Sequence, residues 1–217
     1  MDIAAAPKTG AKATVAWLWI WLACQAAVAA YAVFALNSVA AFGGTPSPDR
    51  LAQAAPVGEA IGLVAILVHL VTIVMVLRWV YRAAVRAHAL SDRIAVSPGW
   101  AVGRFFLPVL NLWRPFRGMV EIWRTSVDPV APDTVPVPVP ALLRWWWGLW
   151  LLANLFGPIG GPLMDEAHRA SHLAAARWAD VVLLAIDVPL VILLVRIVRQ
   201  VSARQAALLT QRGTTAR

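Results

Sequence analysis

The chain has 217 residues, 60% of them hydrophobic and 14% charged, with 19 Lys and Arg against 11 Asp and Glu for a net charge of +8. Soluble domains run at roughly 45–50% apolar and 25% charged, so this composition leaves no polar skin for a water-soluble core. It excludes an ordinary cytosolic enzyme, a disordered tail and a secreted disulfide scaffold, and since a helix crosses a bilayer with about 20 apolar residues, the length allows several spans and no large soluble domain besides.

The single cysteine, Cys24, sits in an apolar run and reads as a small buried hydrophobe. All the basic residues except Lys8 and Lys12 are arginine, in a chain rich in Ala, Val and Leu, which points to GC-rich coding and a bacterial source. Nucleic acid is not an expected partner. The arginines punctuate hydrophobic runs, as membrane topology requires, and do not form one soluble basic face.

Residues 1–13 are small and polar and read as a disordered cytoplasmic N-terminus, followed by one membrane domain over 14–205. The first span, 14–36, has no formal charge and carries Trp17, Trp19 and Trp21 near its start, where a membrane interface favours them. A signal peptide is the competing reading, since Lys8 and Lys12 precede the run and Ser38 to Ala41 are small. The apolar stretch exceeds the roughly 7–15 residues of a signal peptide, which favours an uncleaved span. Residues 37–56 hold Gly43, Gly44, Pro46, Pro48 and Pro56 and read as a loop. The second span covers 57–80 and continues as helix, with Arg78, Arg82 and Arg86 recurring on one face until Ser91 and Asp92 end it.

The third span, 141–163, opens with Arg144 and Trp145-Trp146-Trp147, and Gly157 to Pro162 is expected to break its far end. The fourth covers 179–198. It leads into an amphipathic helix with Ile197, Val201 and Leu208 set against Arg199, Arg204 and Gln205, and residues 206–217 form a cytoplasmic tail. Fifteen of the 19 basic residues fall in the N-terminal tail, the 78–140 connection and the segment from Arg196 onward, against Arg50, Arg169 and Arg177 in the other loops. Basic loops stay cytoplasmic. The expected protein is therefore all-α and multi-pass in the inner membrane, with four spans and both termini cytoplasmic.

Between spans 2 and 3 lies Ser97-Pro98, a helix start, then an apolar stretch from Trp100 to Trp113 containing Arg104 and Pro108. Fourteen residues are short for a crossing of about 20, and a fifth span would put the two basic flanks on opposite sides. A re-entrant or interfacial hairpin is expected instead. After Pro115, the residues Phe116, Met119, Val120, Trp123 and Val127 share a helical face opposite Arg117, Glu121 and Arg124, predicting an amphipathic helix on the inner leaflet. The expected lipid contacts over 97–127 and the adjoining helix are Arg78, Arg82, Arg86, Arg104, Arg114, Arg117, Arg124, Trp100, Trp113 and Trp123. Each basic residue near an anionic surface is worth about 1 kcal/mol. Residues 128–140, with Pro129, Pro132, Pro136, Pro138 and Pro140, read as an extended strut.

The string SPGWAVGRFFLPVLNLWRPFRGMVEIWR, from Ser97 to Arg124, resembles the signature of the domain of unknown function 4328 family. RWVYRA at Arg78 to Ala83 and RWWWGLWLLAN at Arg144 to Asn154 are similar to that family as well, so the resemblance covers roughly residues 60–205. Arg104 departs from the aromatic or apolar residue frequent there. The resemblance implies a small multi-pass membrane protein of bacteria, often actinobacteria, and implies no activity, ligand or catalytic residue.

Polar groups inside spans are costly and usually face a bundle interior. His69 lies nine residues before Arg78 and Asp187 nine before Arg196, which places both roughly 13–14 Å above the inner boundary at 1.5 Å per residue. Asn154 is at about 15 Å from Arg144 by the same rise, and Gln25 is nearby in the first span. The expectation is a midplane polar layer of His69, Asn154, Asp187 and Gln25. It serves either as interhelical pins worth about 0.6 kcal/mol each or as a proton relay or cation site, with the pins favoured. His168 and His172 have a zinc-compatible spacing but lack the protease motif and read as solvated. No catalytic, cofactor-binding or metal residues are assigned. The expected function is structural: an interaction or lipid-surface-organising protein whose partners are the bilayer and its anionic head groups. The alternative is a small transporter or proton-linked channel, which needs a homo-oligomer because four helices are few for one pathway.

Overall fold

The structure, a computed structural model, describes residues 7–40, 48–107, 109–130, 138–165 and 170–215. These residues form six α-helices and no strand: α1 (Pro7–Ala40), α2 (Pro48–Leu90), α3 (Pro98–Gly103), α4 (Arg114–Val127), α5 (Ala141–Asp165) and α6 (Ala170–Thr215), with 3₁₀ turns at Arg104–Phe106 and Leu110–Leu112 between α3 and α4. Three helices carry segments long and apolar enough to cross a membrane, Gly10–Asn37, Pro56–Leu90 and Trp178–Thr214, as in a multi-pass membrane protein.

The helices are longer than the apolar runs suggest. α1 starts at Pro7, so helix covers half of the tail expected to be disordered, and α2 starts at Pro48, inside the expected loop. Pro7 and Pro48 are the first described residues of these two helices. α6 has 46 residues, about 69 Å at 1.5 Å each, so the expected fourth span and the C-terminal amphipathic helix are one element. α5 runs to Asp165, and the Gly157–Pro162 sequence lies within it rather than ending it.

Two compact units divide the chain. One comprises residues 1–17, 73–147 and 192–217, the other 18–72 and 148–191. In the first, α2 meets α6 along a close-packed seam. Ala83, Ala84, Ala87 and Leu90 on α2 and Ile197, Val198 and Val201 on α6 are all at most 1% exposed, a periodicity of three and four that sets one stripe of each helix toward its neighbour. Alanine on α2 lets the backbones approach. The ties run in one order: Trp79 Nε1 donates to Ser202 Oγ at 3.0 Å, Arg86 Nε to Gln205 Oε1 at 2.8 Å, and Arg212 Nη2 to the Leu90 carbonyl. Numbers rise together on both helices, so α2 and α6 are parallel. α1 is antiparallel to α2, since Thr14 Oγ1 donates to the Met75 carbonyl at 3.2 Å while Gly10 sits beside Arg82.

α4 packs into the same unit. Met119, Ile122 and Trp123 are at most 6% exposed, and the Arg204 guanidinium of α6 lies 4.5 Å over the Trp123 ring. Phe116 stacks on Trp147 of α5 at 6.1 Å, and Trp147 Nε1 donates to the Leu112 carbonyl at 3.2 Å.

In the second unit, α1 and α2 again run antiparallel. Trp21 meets His69, their ring centroids 5.6 Å apart, and Tyr31 meets Gly58. Leu63, Ile66, Leu67 and Leu70 are all more than half exposed, an aliphatic surface suited to lipid and too greasy for water. A Cβ on Gly58 would lie 2.8 Å from Tyr31 Cε1 and 2.9 Å from its hydroxyl, so this approach requires glycine.

Gly58→Ala is expected to destabilise the protein by about 1–3 kcal/mol through overpacking. In a Tyr31→Ala background the same change becomes stabilising by up to about 1 kcal/mol, because only the helix propensity of alanine is left. Unfolding of the four proteins of this cycle in detergent micelles checks the change of sign.

Candidate functional site

The residues expected to matter fall into two groups. The first is the polar set within the spans. Gln25 of α1 donates through Nε2 to Asp187 Oδ2 of α6 at 3.3 Å, and Asp187 is 4% exposed. Asp187 is held on a helix that Pro189 interrupts chemically without ending it, since α6 continues past that residue. A buried carboxyl needs a partner to offset its desolvation, and the Gln25 amide supplies one. His69 and Asn154 do not join this pair. The His69 ring packs on Trp21 on an exposed part of α2. Asn154 is exposed and donates back to the Trp150 carbonyl of its own helix at 2.8 Å. Of the four expected polar residues, two meet and two do not. His168 lies outside the described residues, as do the side chain of His172 and the centre of the expected proline strut.

The second group is the arginine and tryptophan set of the first unit. Ser97 caps α3, its hydroxyl accepting from the Trp100 N–H, and Pro98 starts the helix. The chain then turns through Arg104–Phe106 and Leu110–Leu112 instead of continuing as helix, and α4 restarts with Pro115 in its first turn. This broken path exposes its apolar side chains: Trp100 is 55% exposed, Phe106 68% and Trp113 40%. Tyr81 and Trp145 in the same unit are exposed as well. Arg114, Arg117 and Arg124 are exposed, and Arg104 is half-buried. Aromatic rings with a polar edge and cations on long apolar stems are the side chains that settle at a membrane–water interface.

Two residues expected at the lipid surface are inside the protein. Arg86 is 4% exposed, its Nε tied to Gln205, and Trp123 is 6% exposed beneath Arg204. The amphipathic face of α4 was expected to lie on lipid, but Met119, Val120 and Trp123 are spent on protein packing. Its apolar face is satisfied within the chain, and the exposed apolar edge moves to the segment before it. Gln205, expected on a polar face, is fully buried. Its Nε2 donates to the Ala83 carbonyl at 2.9 Å while its Oε1 accepts from Arg86. The spacing of Val198, Val201, Ser202 and Gln205 by three and four marked one buried stripe, a signal that the polarity of Gln205 obscures. Arg212, also unremarkable in sequence, donates to the Ala89 and Leu90 carbonyls at the end of α2, which satisfies carbonyls that a helix end leaves open.

Residues 43–203 match the model of the family described as Domain of unknown function (DUF4328). No curated protein matches the chain. No solved structure does either.

Gln205→Leu keeps the volume but leaves the Arg86 charge and the Ala83 carbonyl without their partner. It is expected to cost about 1.5–3 kcal/mol, the worth of a hydrogen bond to a charged group. Adding Arg86→Met restores most of that loss, because removing both partners of a buried polar pair is far cheaper than removing one. Denaturation of the single and double variants in micelles measures the difference.

Proposed function

The chain belongs to the DUF4328 family, and from that premise we propose that it is a four-span protein of the bacterial inner membrane that organises anionic lipid at its arginine-rich cytoplasmic end. The observation that carries this reading is the exposed aromatic edge of Trp100, Phe106 and Trp113, interleaved with Arg104, Arg114 and Arg117 in one short broken segment. That combination holds a segment at the depth of the head groups: the rings partition to the interface and the cations attract negative lipid.

The parallel course of α2 and α6 supports the four-span topology. Two parallel spans require the chain between them to cross back an odd number of times. α5 has 25 residues, about 37 Å of helix, enough for that one return. A second crossing by residues 97–113 would set α2 and α6 antiparallel, against the order of their ties. This supports a re-entrant or interfacial hairpin over a fifth span, and the arginine distribution supports a cytoplasmic position for it and for both termini. No observation favours the transporter alternative, because His69 and Asn154 stand apart from Gln25 and Asp187.

In bilayer nanodiscs of mixed neutral and anionic phospholipid, the protein is expected to retain anionic lipid preferentially. Replacing Arg104, Arg114 and Arg117 by Gln lowers that preference by about 1 kcal/mol per charge, and raising the salt lowers it further. Lipid analysis of purified discs reads the enrichment. Equal retention of both lipid classes by the unaltered protein would refute the reading.

A further inference from the structure

The first unit contains a cavity of about 220 Å³ between the start of α1 and the cytoplasmic half of α2, lined among others by Thr14, Trp79, Arg78, Arg82 and Arg86. It is larger than the engineered cavity of about 150 Å³ that holds benzene. Three arginines at intervals of four share one face of α2 and bring three like charges to one wall. Like charges so placed repel, yet among the described residues no carboxylate answers Arg78 or Arg82. Arg86 is 4% exposed and is held by a neutral partner, Gln205. The remaining walls are mostly apolar, with Ala11, Ala13, Met75 and the Trp79 ring, whose N–H is already taken by Ser202. Gly10 at the rim leaves room for Arg82: a Cβ there would lie 3.1 Å from Arg82 Nη1.

We propose that this cavity is a binding site for a phosphate group, in which Arg78, Arg82 and Arg86 supply the positive charge and the apolar wall accepts the substituent carried by the phosphate. The guanidinium is the side chain suited to phosphate oxygens, since its fork of donors matches them in pairs. A bound anion cancels the repulsion that the sequence otherwise leaves standing. The apolar wall favours the head group of an anionic phospholipid over free phosphate, and this choice of source rests on the lipid-organising reading above. The site differs from the surface of that reading: it lies against α1 and involves neither Trp100 nor Trp113.

The test uses the full chain in nanodiscs of neutral lipid, titrated separately with inorganic phosphate and with short-chain phosphatidic acid and followed by calorimetry. Saturable binding is expected. It weakens at least about tenfold in Arg82→Gln, the loss of a hydrogen bond to a charged group. It also weakens in Gly10→Leu, which fills the rim and displaces Arg82 without altering the net charge. Arg199→Gln, which removes an exposed charge of α6 outside both the cavity and the surface segment, retains wild-type affinity. Stronger binding of the lipid than of phosphate identifies a head group, and equal binding identifies a soluble phosphate compound. Absence of saturable binding overturns the proposal, as does equal weakening by Arg82→Gln and Arg199→Gln. Either result leaves the surface reading standing. Conversely, cavity binding in a protein whose discs show no anionic-lipid enrichment refutes the surface reading alone.

Discussion

Arg86 places a guanidinium in the seam between α2 and α6, with 4% of the residue exposed. A charge so removed from water is tolerated only where hydrogen-bond partners replace the hydration it gives up. Gln205 supplies the replacement and spends its other end on the Ala83 carbonyl. One amide therefore fixes the rotation of α6 about its axis and its height along α2. Trp79–Ser202 and Arg212 with the end of α2 then fall into step on either side. The alanines of α2 bring the backbones close enough for these short reaches, and the aliphatic stripe of α6 fills the space between the ties.

The rest of the first unit follows from that pairing. With α6 held along α2, the Arg204 guanidinium is available to cover Trp123, which gives the apolar face of α4 a protein partner in place of lipid. The segment before α4 cannot bury itself in the same way. Its helix stops at Gly103, and two 3₁₀ turns carry the chain to Pro115. Trp100, Phe106 and Trp113 are left outside. An edge of this kind favours the membrane interface for the reason that α4 no longer does. The parallel direction of α2 and α6 also constrains how the chain between them crosses a bilayer, so a contact between side chains bears on topology.

Much of this was legible in the sequence and some was not. The apolar runs located the bodies of α1, α2 and α6, because hydrophobicity over about 20 residues is a signal that tertiary context seldom reverses. Helix extent was less legible: helix covers residues 7–13 and 48–56, where small, polar and proline residues argue for a tail and a loop. The amphipathic character of α4 was visible from Met119, Val120 and Trp123, while the partner of its apolar face was not. Periodicity reports that a face is apolar and does not report whether lipid or protein covers it. Depth arithmetic put Gln25 near Asp187, and these two meet. The same arithmetic included His69, which packs on Trp21, and Asn154, which bonds back to its own helix, since height along a helix says nothing about which partner a side chain meets. Gln205 was misplaced because its polarity argues for exposure, and only the buried arginine opposite it explains why it is inside.

The central claim is that α2 and α6 lie parallel with Arg86 opposite Gln205, and cross-linking tests it directly. In a Cys24→Ser background, cysteines are introduced in pairs at Trp79 and Ser202, at Ala89 and Arg212, and at Trp79 and Arg212. Each protein is treated in native membranes with a short bifunctional thiol reagent. The parallel register predicts cross-links for the first two pairs and none for the third. Cross-linking of the third pair, with none in the first two, would contradict it and remove the support for a single return through α5.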